Sequence, residues 1–268
     1  MTRASMKRVF ITGASSGLGA ALAREYAARG ALLGLVARRV SVLHELVASL
    51  PDSGRHRIYA LDVTDHAALA AAAADFIAAA GGIDVVIANA GISVGTLTEI
   101  AEDLPQFERV VATNLNATVA TFMPFIAAMR RQAQAGERSC RLVGIASVAG
   151  IRGLPGAAAY SASKAAVVSY CESLRVELRR DRIAVVTIAP GYIDTPMTQS
   201  NAYPMPFLMP AERFAARAVD TIGAGVSYRV IPWQMGVVAK LLRLLPNWLY
   251  DLAFSRAPHK ARARTEVR

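Results

Sequence analysis

Cysteine is scarce: Cys140 and Cys171 are the only two thiols among 268 residues. That excludes a disulfide-stapled scaffold and suits a reducing compartment, so a cytoplasmic protein is expected. Charge is also sparse, at 19% of residues against 54% hydrophobic, which excludes intrinsic disorder. Histidines are few. His44, His56, His66 and His259 show no paired ligand spacing, so no metal is expected and all four are read as surface residues. The start of the chain lacks a secretory pattern, because its first apolar stretch, 9–11, stops at Thr12 and Gly13. A clean membrane span is missing too. The longest uncharged run, 110–129, has the length for one, but it carries Thr113, Asn114, Asn116, Thr118, Thr121 and Pro124 and reads as a buried helix of a soluble domain. There is no Pro/Gly/Ser-rich linker and no internal repeat.

What the chain has in excess is positive charge, +10 in all. Three of these charges lie in residues 1–8 and a net four in 256–268, which leaves the body only mildly basic. A basic surplus suits nucleic acid or an anionic membrane surface. No basic recognition helix or aromatic-studded patch accompanies it, so a nucleic-acid partner is not expected.

Short apolar runs alternate with Ala-rich helical segments. Strands are expected at 8–11, 32–37, 57–61, 85–89, 142–146, 184–189 and 229–231, and helices at 18–29, 40–50, 67–80, 105–131, 160–180 and 211–222. Strands apolar on both faces and joined by crossover helices imply an α/β fold: a doubly wound parallel sheet of about seven strands. We expect one domain, 1–232, with a helical extension and basic tail, 233–268. In such a sheet, ligands bind beyond the carboxyl ends of the strands.

The first strand runs into Thr12, Gly13, Ala14, Ser15, Ser16, Gly17, Leu18 and Gly19, after which a helix begins. Glycines there let the backbone approach a diphosphate, and the helix N-terminus offers free N–H groups. At the end of the second strand, where an acid would bond the ribose 2′-hydroxyl of NAD, stand Arg38 and Arg39. A guanidinium pairs bidentately with a 2′-phosphate, so NADP(H) is expected and the choice rests on Arg38. The alternative is that both arginines only solvate a strand end. Asp62 and Val63 end strand three and Asn89, Ala90 and Gly91 end strand four. Asp62 could simply cap a turn, and Asn89 could simply tie two strand ends together.

Tyr160 and Lys164 lie one helical turn apart on one face, with Ser147 thirteen positions upstream after a strand. A neighbouring ammonium stabilises a phenolate, so this pair can give and take a proton near neutrality. Alone, such a pair is common on solvent-facing helices.

Taken together, the Thr12-Gly13, Gly17 and Gly19 turn, Asp62, Asn89-Ala90-Gly91, Asn114, Ser147, Tyr160, Lys164 and Pro190-Gly191 resemble the short-chain dehydrogenase/reductase family, over about residues 7–232. The resemblance implies a Rossmann fold and an enzyme interconverting an alcohol and a carbonyl. It implies Tyr160 as proton donor, Ser147 as its hydrogen-bonding orienter and Lys164 as the group that lowers the phenol pKa and holds the nicotinamide ribose. Asn114 would keep a water linking Lys164 to solvent. It also implies cofactor contacts from Gly13, Ser15, Ser16, Gly17, Leu18, Gly19, Arg38, Asp62, Val63, Asn89, Ala90, Gly91, Pro190, Gly191, Ile193 and Thr195, and a homodimer or homotetramer built through the helices around Asn114 and Tyr160. Two departures stand out: Ala88 replaces an Asn before Asn89, and Ser16 stands where NADP-preferring relatives often place a base. A non-catalytic NADP(H)-sensing protein on the same fold is the rival reading, which the intact Asn114, Ser147, Tyr160 and Lys164 set opposes.

In residues 195–211, Met197, Met205, Phe207, Leu208 and Met209 offer an apolar lining for a hydrophobic substrate, or pack the lid on the protein. Beyond Pro232, Lys240, Arg243, Asn247 and Asp251 form a narrow polar stripe on an otherwise apolar helix that Pro246 should kink or divide. With Trp233, Trp248 and the basic tail, 233–268 suits peripheral contact with the inner membrane surface, or else a core or oligomer contact.

Overall fold

The computed structural model describes residues 7–136, 140–199, 201, 204–255, 260 and 262. The terminal bases Arg3, Arg256, Arg264 and Arg268, and His259, lie outside the described residues.

In chain order the elements are β1 (Arg8–Thr12), α1 (Gly17–Ala28), β2 (Leu32–Ala37), α2 (Val40–Ala48), β3 (Arg57–Ala60), α3 (His66–Ala80), β4 (Val85–Ala88), α4 (Leu104–Val111), α5 (Ala117–Gln134), β5 (Arg141–Ile145), α6 (Ala158–Glu177), β6 (Ala184–Pro190), β7 (Ile193–Asp194), α7 (Pro196–Gln199), β8 (Met209–Pro210), α8 (Ala211–Gly223), β9 (Tyr228–Ile231), α9 (Trp233–Leu244) and α10 (Asn247–Phe254). Seven strands form one parallel sheet in the order β3-β2-β1-β4-β5-β6-β9, and β7 pairs with β8 apart from it.

Both sheet faces are buried, which is why the strand sequences are nearly all apolar. Val9 and Ile11 of β1, with Val85 and Ile87 of β4, point to a core shared with α1, α2 and α8. Phe10, Val86 and Leu142 point the other way, to a core shared with α3, α5 and α6. There Phe10 packs on Phe125, Phe76 and Tyr59 with ring centroids 4.9, 5.6 and 5.8 Å apart. The run 110–129 lies in this second core through Ala117, Phe122, Phe125, Ala128 and Met129, as the polar residues within it predict.

Four local expectations need correcting. The segment 105–131 is not one regular helix: α4 and α5 are joined by a π-turn, Ala112–Asn116, whose extra residue brings Asn114 into the interior. His56 is not a plain surface residue, because it is partly buried, accepts the Leu33 N–H at Nδ1 (3.4 Å) and lies 3.0 Å from the Pro51 carbonyl at Nε2. Met209 does not line a pocket but is buried in the core with Phe214. The two sides of the extension also differ from a core helix. The chain does divide at Pro246, but only Met235, Ala239 and Tyr250 of α9 and α10 are buried.

Strand order reverses between β1 and β4, since β1 runs on to β2 and β3 on one side while β4 runs on to β5 and β6 on the other. The loops leaving the two strands therefore diverge and open a crevice at their carboxyl ends.

Candidate active site

The crevice is a cleft of about 520 Å³. Gly13, Ser15, Ser16, Gly17 and Leu18 from the first turn line it, with Arg38, Asp62, Val63, Asn89, Ala90, Gly91, Ser147, Tyr160, Lys164, Pro190, Gly191, Ile193 and Thr195. Of the catalytic and cofactor residues singled out from the sequence, Gly19 and Asn114 stand behind the lining, and of the apolar residues in 195–211 only Met197 joins it.

Gly19 explains the tightness of the turn. A Cβ there would lie 2.1 Å from the Gly13 carbonyl oxygen and 2.6 Å from Asn89 Nδ2. Gly13 and Gly17 hold φ values of 67° and 53°, in the left-handed region that side chains disfavour. Asn89 is the strut under this turn: its Nδ2 donates to the carbonyls of Thr12 (2.9 Å) and Gly13 (3.2 Å). Thr12 Oγ1 in turn accepts the N–H groups of Asn89 (3.1 Å) and Ala90 (3.2 Å). The tie between strand ends is real, and it sits in the wall of the cleft.

At the rim, Arg38 and Arg39 leave β2. Arg38 Nη1 lies 3.5 Å from Asp62 Oδ2 and its side chain is largely exposed, while Arg39 Nη2 donates to Ser15 Oγ at 3.1 Å. Arg39 also lines the cleft, so the rim carries two guanidinium groups where the sequence reading relied on one. Asp62 caps its own turn, accepting from Thr64 N–H (3.0 Å) and Thr64 Oγ1 (2.8 Å). These bonds, then the Arg38 charge, hold its carboxyl below the ordinary value. Further along, Arg109 from α4 and Thr113 from the π-turn that follows it also line the cleft, a pairing that their i,i+4 spacing could have shown.

Ser147 leaves β5 with extended backbone and starts a short 3₁₀ turn, its Oγ accepting the Ala149 N–H at 3.1 Å. That turn lies directly on α6. A Cβ at Gly150 would be 2.7 Å from the carbonyl carbon of Lys164, so only glycine lets the Ser147 turn seat against the helix that carries Tyr160. Lys164 is buried and donates from Nζ to the Ile145 carbonyl at 2.8 Å, with Nζ 5.9 Å from the Tyr160 ring centroid. Burial depresses its pKa to about 8. The Tyr160 phenol is raised by burial, and the hydrogen bond with Ser147 pulls it down. In the protein alone, desolvation of the phenol outweighs the Ser147 bond, and the Lys164 ammonium spends one of its three donors on Ile145.

Asn114 is fully buried. Its Oδ1 accepts the Ile92 N–H (2.8 Å), and its Nδ2 donates to the Ile92 carbonyl (3.0 Å) and Ser163 Oγ (3.0 Å). Ser163 Oγ donates onward to the Tyr160 carbonyl at 2.8 Å. Asn114 thus clamps the loop after β4 to the helix of Tyr160 and Lys164. On the far side, Thr195 is buried, and the space beside Gly17 ends on its Cβ and Cγ2, 3.4 Å from where a Gly17 Cβ would be. Among the described residues, no three His, Cys, Asp or Glu side chains gather to hold a metal ion; both cysteines are buried and neither is in a disulfide.

The glycine cradle, the basic rim and the Tyr160, Ser147 and Lys164 cluster at its inner end fit a nicotinamide dinucleotide in extended form. Sequence reasoning also missed what holds the extension. Arg152, just past the Ser147 turn, donates from Nη1 to the Leu242 (2.5 Å) and Leu245 (2.8 Å) carbonyls and from Nη2 to Asn247 Oδ1 (3.1 Å). Its guanidinium sits 3.9 Å from the Tyr250 ring centroid, and Tyr250 donates to the Gly153 carbonyl. α9 and α10 are thereby fastened to the loop between Ser147 and Tyr160.

Comparison with known proteins agrees with this geometry. A family model described as short chain dehydrogenase matches residues 7–204. An uncharacterized oxidoreductase of Myxococcus xanthus is 38% identical over 264 residues, covering 96% of this chain and 99% of its own. An uncharacterized oxidoreductase of Mycobacterium tuberculosis is 39% identical over 253 residues, covering 92% of this chain and 96% of its own. Among solved structures, a 3-ketoacyl-(acyl-carrier-protein) reductase from Brucella melitensis complexed with NADH superposes with a TM-score of 0.77 at 26% identity, covering 84% of this chain and 96% of that one. The chain belongs to the short-chain dehydrogenase/reductase family, as an oxidoreductase of that type acting between alcohol and carbonyl with a nicotinamide cofactor.

Proposed function

We propose that the protein interconverts a secondary alcohol and a carbonyl with NADP(H), on an apolar, lipid-like substrate. The observation that carries the cofactor choice is the rim at the end of β2, where Arg38 and Arg39 both face the cleft and Ser15 joins them. A 2′-phosphate there would meet two cations, whereas Asp62 is already turned to Thr64. When bound, the reduced nicotinamide supplies the hydride. Tyr160 gives its phenolic proton to the carbonyl oxygen in reduction and takes it back in oxidation. Ser147 hydrogen-bonds the same oxygen and holds it beside the phenol. Lys164 keeps the ribose in place and, once the nicotinamide charge and ribose are present, favours the phenolate. Asn114, through its clamp on Ile92 and Ser163, holds the water that returns protons to Lys164.

Replacing Arg38 and Arg39 together by alanine should weaken NADPH binding by about 10- to 100-fold, the equivalent of roughly one or two charge-assisted hydrogen bonds, and leave NADH affinity within about twofold. Fluorescence titration of wild type and variant with both reduced cofactors reads this directly. Tighter binding of NADH than NADPH by the wild type would refute the NADP(H) assignment.

The substrate reading rests on Met197 in the cleft wall and on Phe207 and Leu208, half-exposed before β8. It is joined by the surface of the extension. Trp233, Val237, Leu241 and Leu244 of α9 and Trp248 and Leu252 of α10 are all exposed, Leu244 to 79% and Trp248 to 69%. Lys240 and Arg243 flank them. This face suits the interface of an anionic membrane, which would place a cytoplasmic enzyme at the inner membrane surface. Assembly as a homodimer or homotetramer through α4, α5 and α6, with Leu104, Met123 and Val176 exposed there, is part of the same proposal. Wild type should co-sediment with phosphatidylglycerol vesicles, and a Leu244→Ser, Trp248→Ser variant should remain in the supernatant. Equal distribution of the two proteins would remove the membrane reading and leave α9 and α10 to subunit contact.

A further inference from the structure

The basic segment 256–268 has two described residues, and both return to the catalytic end of the sheet. Arg262 bridges to Gly95 in the loop after β4. Its guanidinium grips Asp103 bidentately, Nε to Oδ2 at 2.9 Å and Nη2 to Oδ1 at 3.0 Å. Asp103 is itself buried and accepts the Leu97 N–H at 2.8 Å. The segment beside this anchor is tied to the start of α6: Thr96 N–H donates to the Gly156 carbonyl (3.2 Å), and Thr96 bridges Ala157. Arg262 is therefore fastened to the frame that holds Tyr160.

Two residues earlier, Lys260 places Nζ 5.9 Å from the Tyr160 ring centroid, as near as Lys164. The two lysines differ in their surroundings. Lys164 donates to Ile145 and lines the cofactor cleft, whereas Lys260 has no hydrogen bond or ion pair among the described residues and no part in that lining. Lys260 thus stands beside the residue that meets the carbonyl and apart from the lining of the dinucleotide cleft. It is also partly desolvated, enough to depress its pKa. A desolvated ammonium without a counter-ion is unfavourable, and an anion bound there relieves it.

We infer that Lys260, with Arg262 anchored on Asp103 two positions on, recognises an anionic group, carboxylate or phosphate ester, on the carbonyl substrate. This inference rests on the oxidoreductase reading for the word substrate, but not for the anion site. With the apolar substrate proposed above, it makes the substrate an amphiphile with its charge near the reacting carbon. Lys260 is then a specificity residue, while proton transfer stays with Tyr160.

Calorimetric titration of the full-length protein with decanoate, decyl phosphate and decanol separates the two readings, because it needs no turnover. Wild type should bind one or both anions, and the tighter one identifies carboxylate or phosphate. Lys260→Ala should weaken that anion about tenfold or more, with decanol unchanged, and Lys260→Arg should restore most of it. Arg262→Ala, which removes the anchor on Asp103 while keeping the lysine itself, should give the same selective loss. Anion affinity unchanged in Lys260→Ala, or lost equally for decanol, overturns the inference. Turnover of a keto acid beside its methyl ester is the companion assay: a Lys260→Ala loss in KM confined to the acid supports it, and an equal loss in kcat on both overturns it. Absence of turnover in wild type with anion binding intact would count against the oxidoreductase reading alone.

Discussion

Tyr160→Phe is expected to lower turnover by about 10²- to 10⁴-fold, the range general acid catalysis supplies, while NADPH affinity stays within about twofold. The substitution removes one oxygen and keeps the ring that packs at the head of α6. The phenol stands between a hydroxyl that hydrogen-bonds it and an ammonium one helical turn away. Ser147 cannot take over, since an aliphatic hydroxyl is a far weaker acid than a phenol and serves here as the phenol's hydrogen-bond partner. Lys164 cannot either, because its Nζ is held by Ile145. Steady-state rates and a cofactor titration on the same variant separate loss of chemistry from loss of binding. Residual turnover within tenfold of wild type would remove Tyr160 from the reaction.

Gly19→Ala is expected to weaken NADPH by about 100-fold or more and to destabilise the fold by roughly 1–3 kcal/mol, the cost typical of forcing an extra carbon into a packed site. The new Cβ would stand 2.1 Å from the Gly13 carbonyl and 2.6 Å from Asn89 Nδ2, and both are backbone or strut atoms that cannot swing aside. Relief means lifting the turn, which breaks the Asn89 bonds to Thr12 and Gly13 and moves the N–H groups meant for the diphosphate. Thermal unfolding and NADPH titration read the two parts. A variant with unchanged affinity would show that the turn does not need its close approach.

Much of this was legible in the residues. The sheet was, because strands buried on both faces carry unbroken apolar runs such as Val85–Ala88, and each is followed by a helical segment. The cleft was as well, because its parts are local: a glycine turn on one loop, Arg38 on the next, Tyr160 and Lys164 on one helical turn. What stayed hidden depends on register or on long-range pairing. The π-turn at Ala112–Asn116 shifts the helix by one residue, which leaves the hydrophobic period of 105–131 almost unaltered. Met209 was grouped with Phe207 and Leu208 by composition, yet the short β7 and β8 pairing turns it inward. The basic tail read as a free charge cluster. Arg262 instead meets Asp103, 159 positions away, and no local pattern announces such a contact.

The central claim is that the protein carries out alcohol–carbonyl oxidoreduction with Tyr160 as the acid. Its most direct test is loss of reduced-nicotinamide absorbance with a panel of carbonyl compounds graded by chain length, run with NADPH and with the wild-type and Tyr160→Phe proteins side by side. The account predicts wild-type turnover that improves with chain length and falls by about 10²- to 10⁴-fold in the variant. Tight NADPH binding with no turnover on any carbonyl, or equal rates in the two proteins, would contradict it and favour a cofactor-sensing role for the same fold.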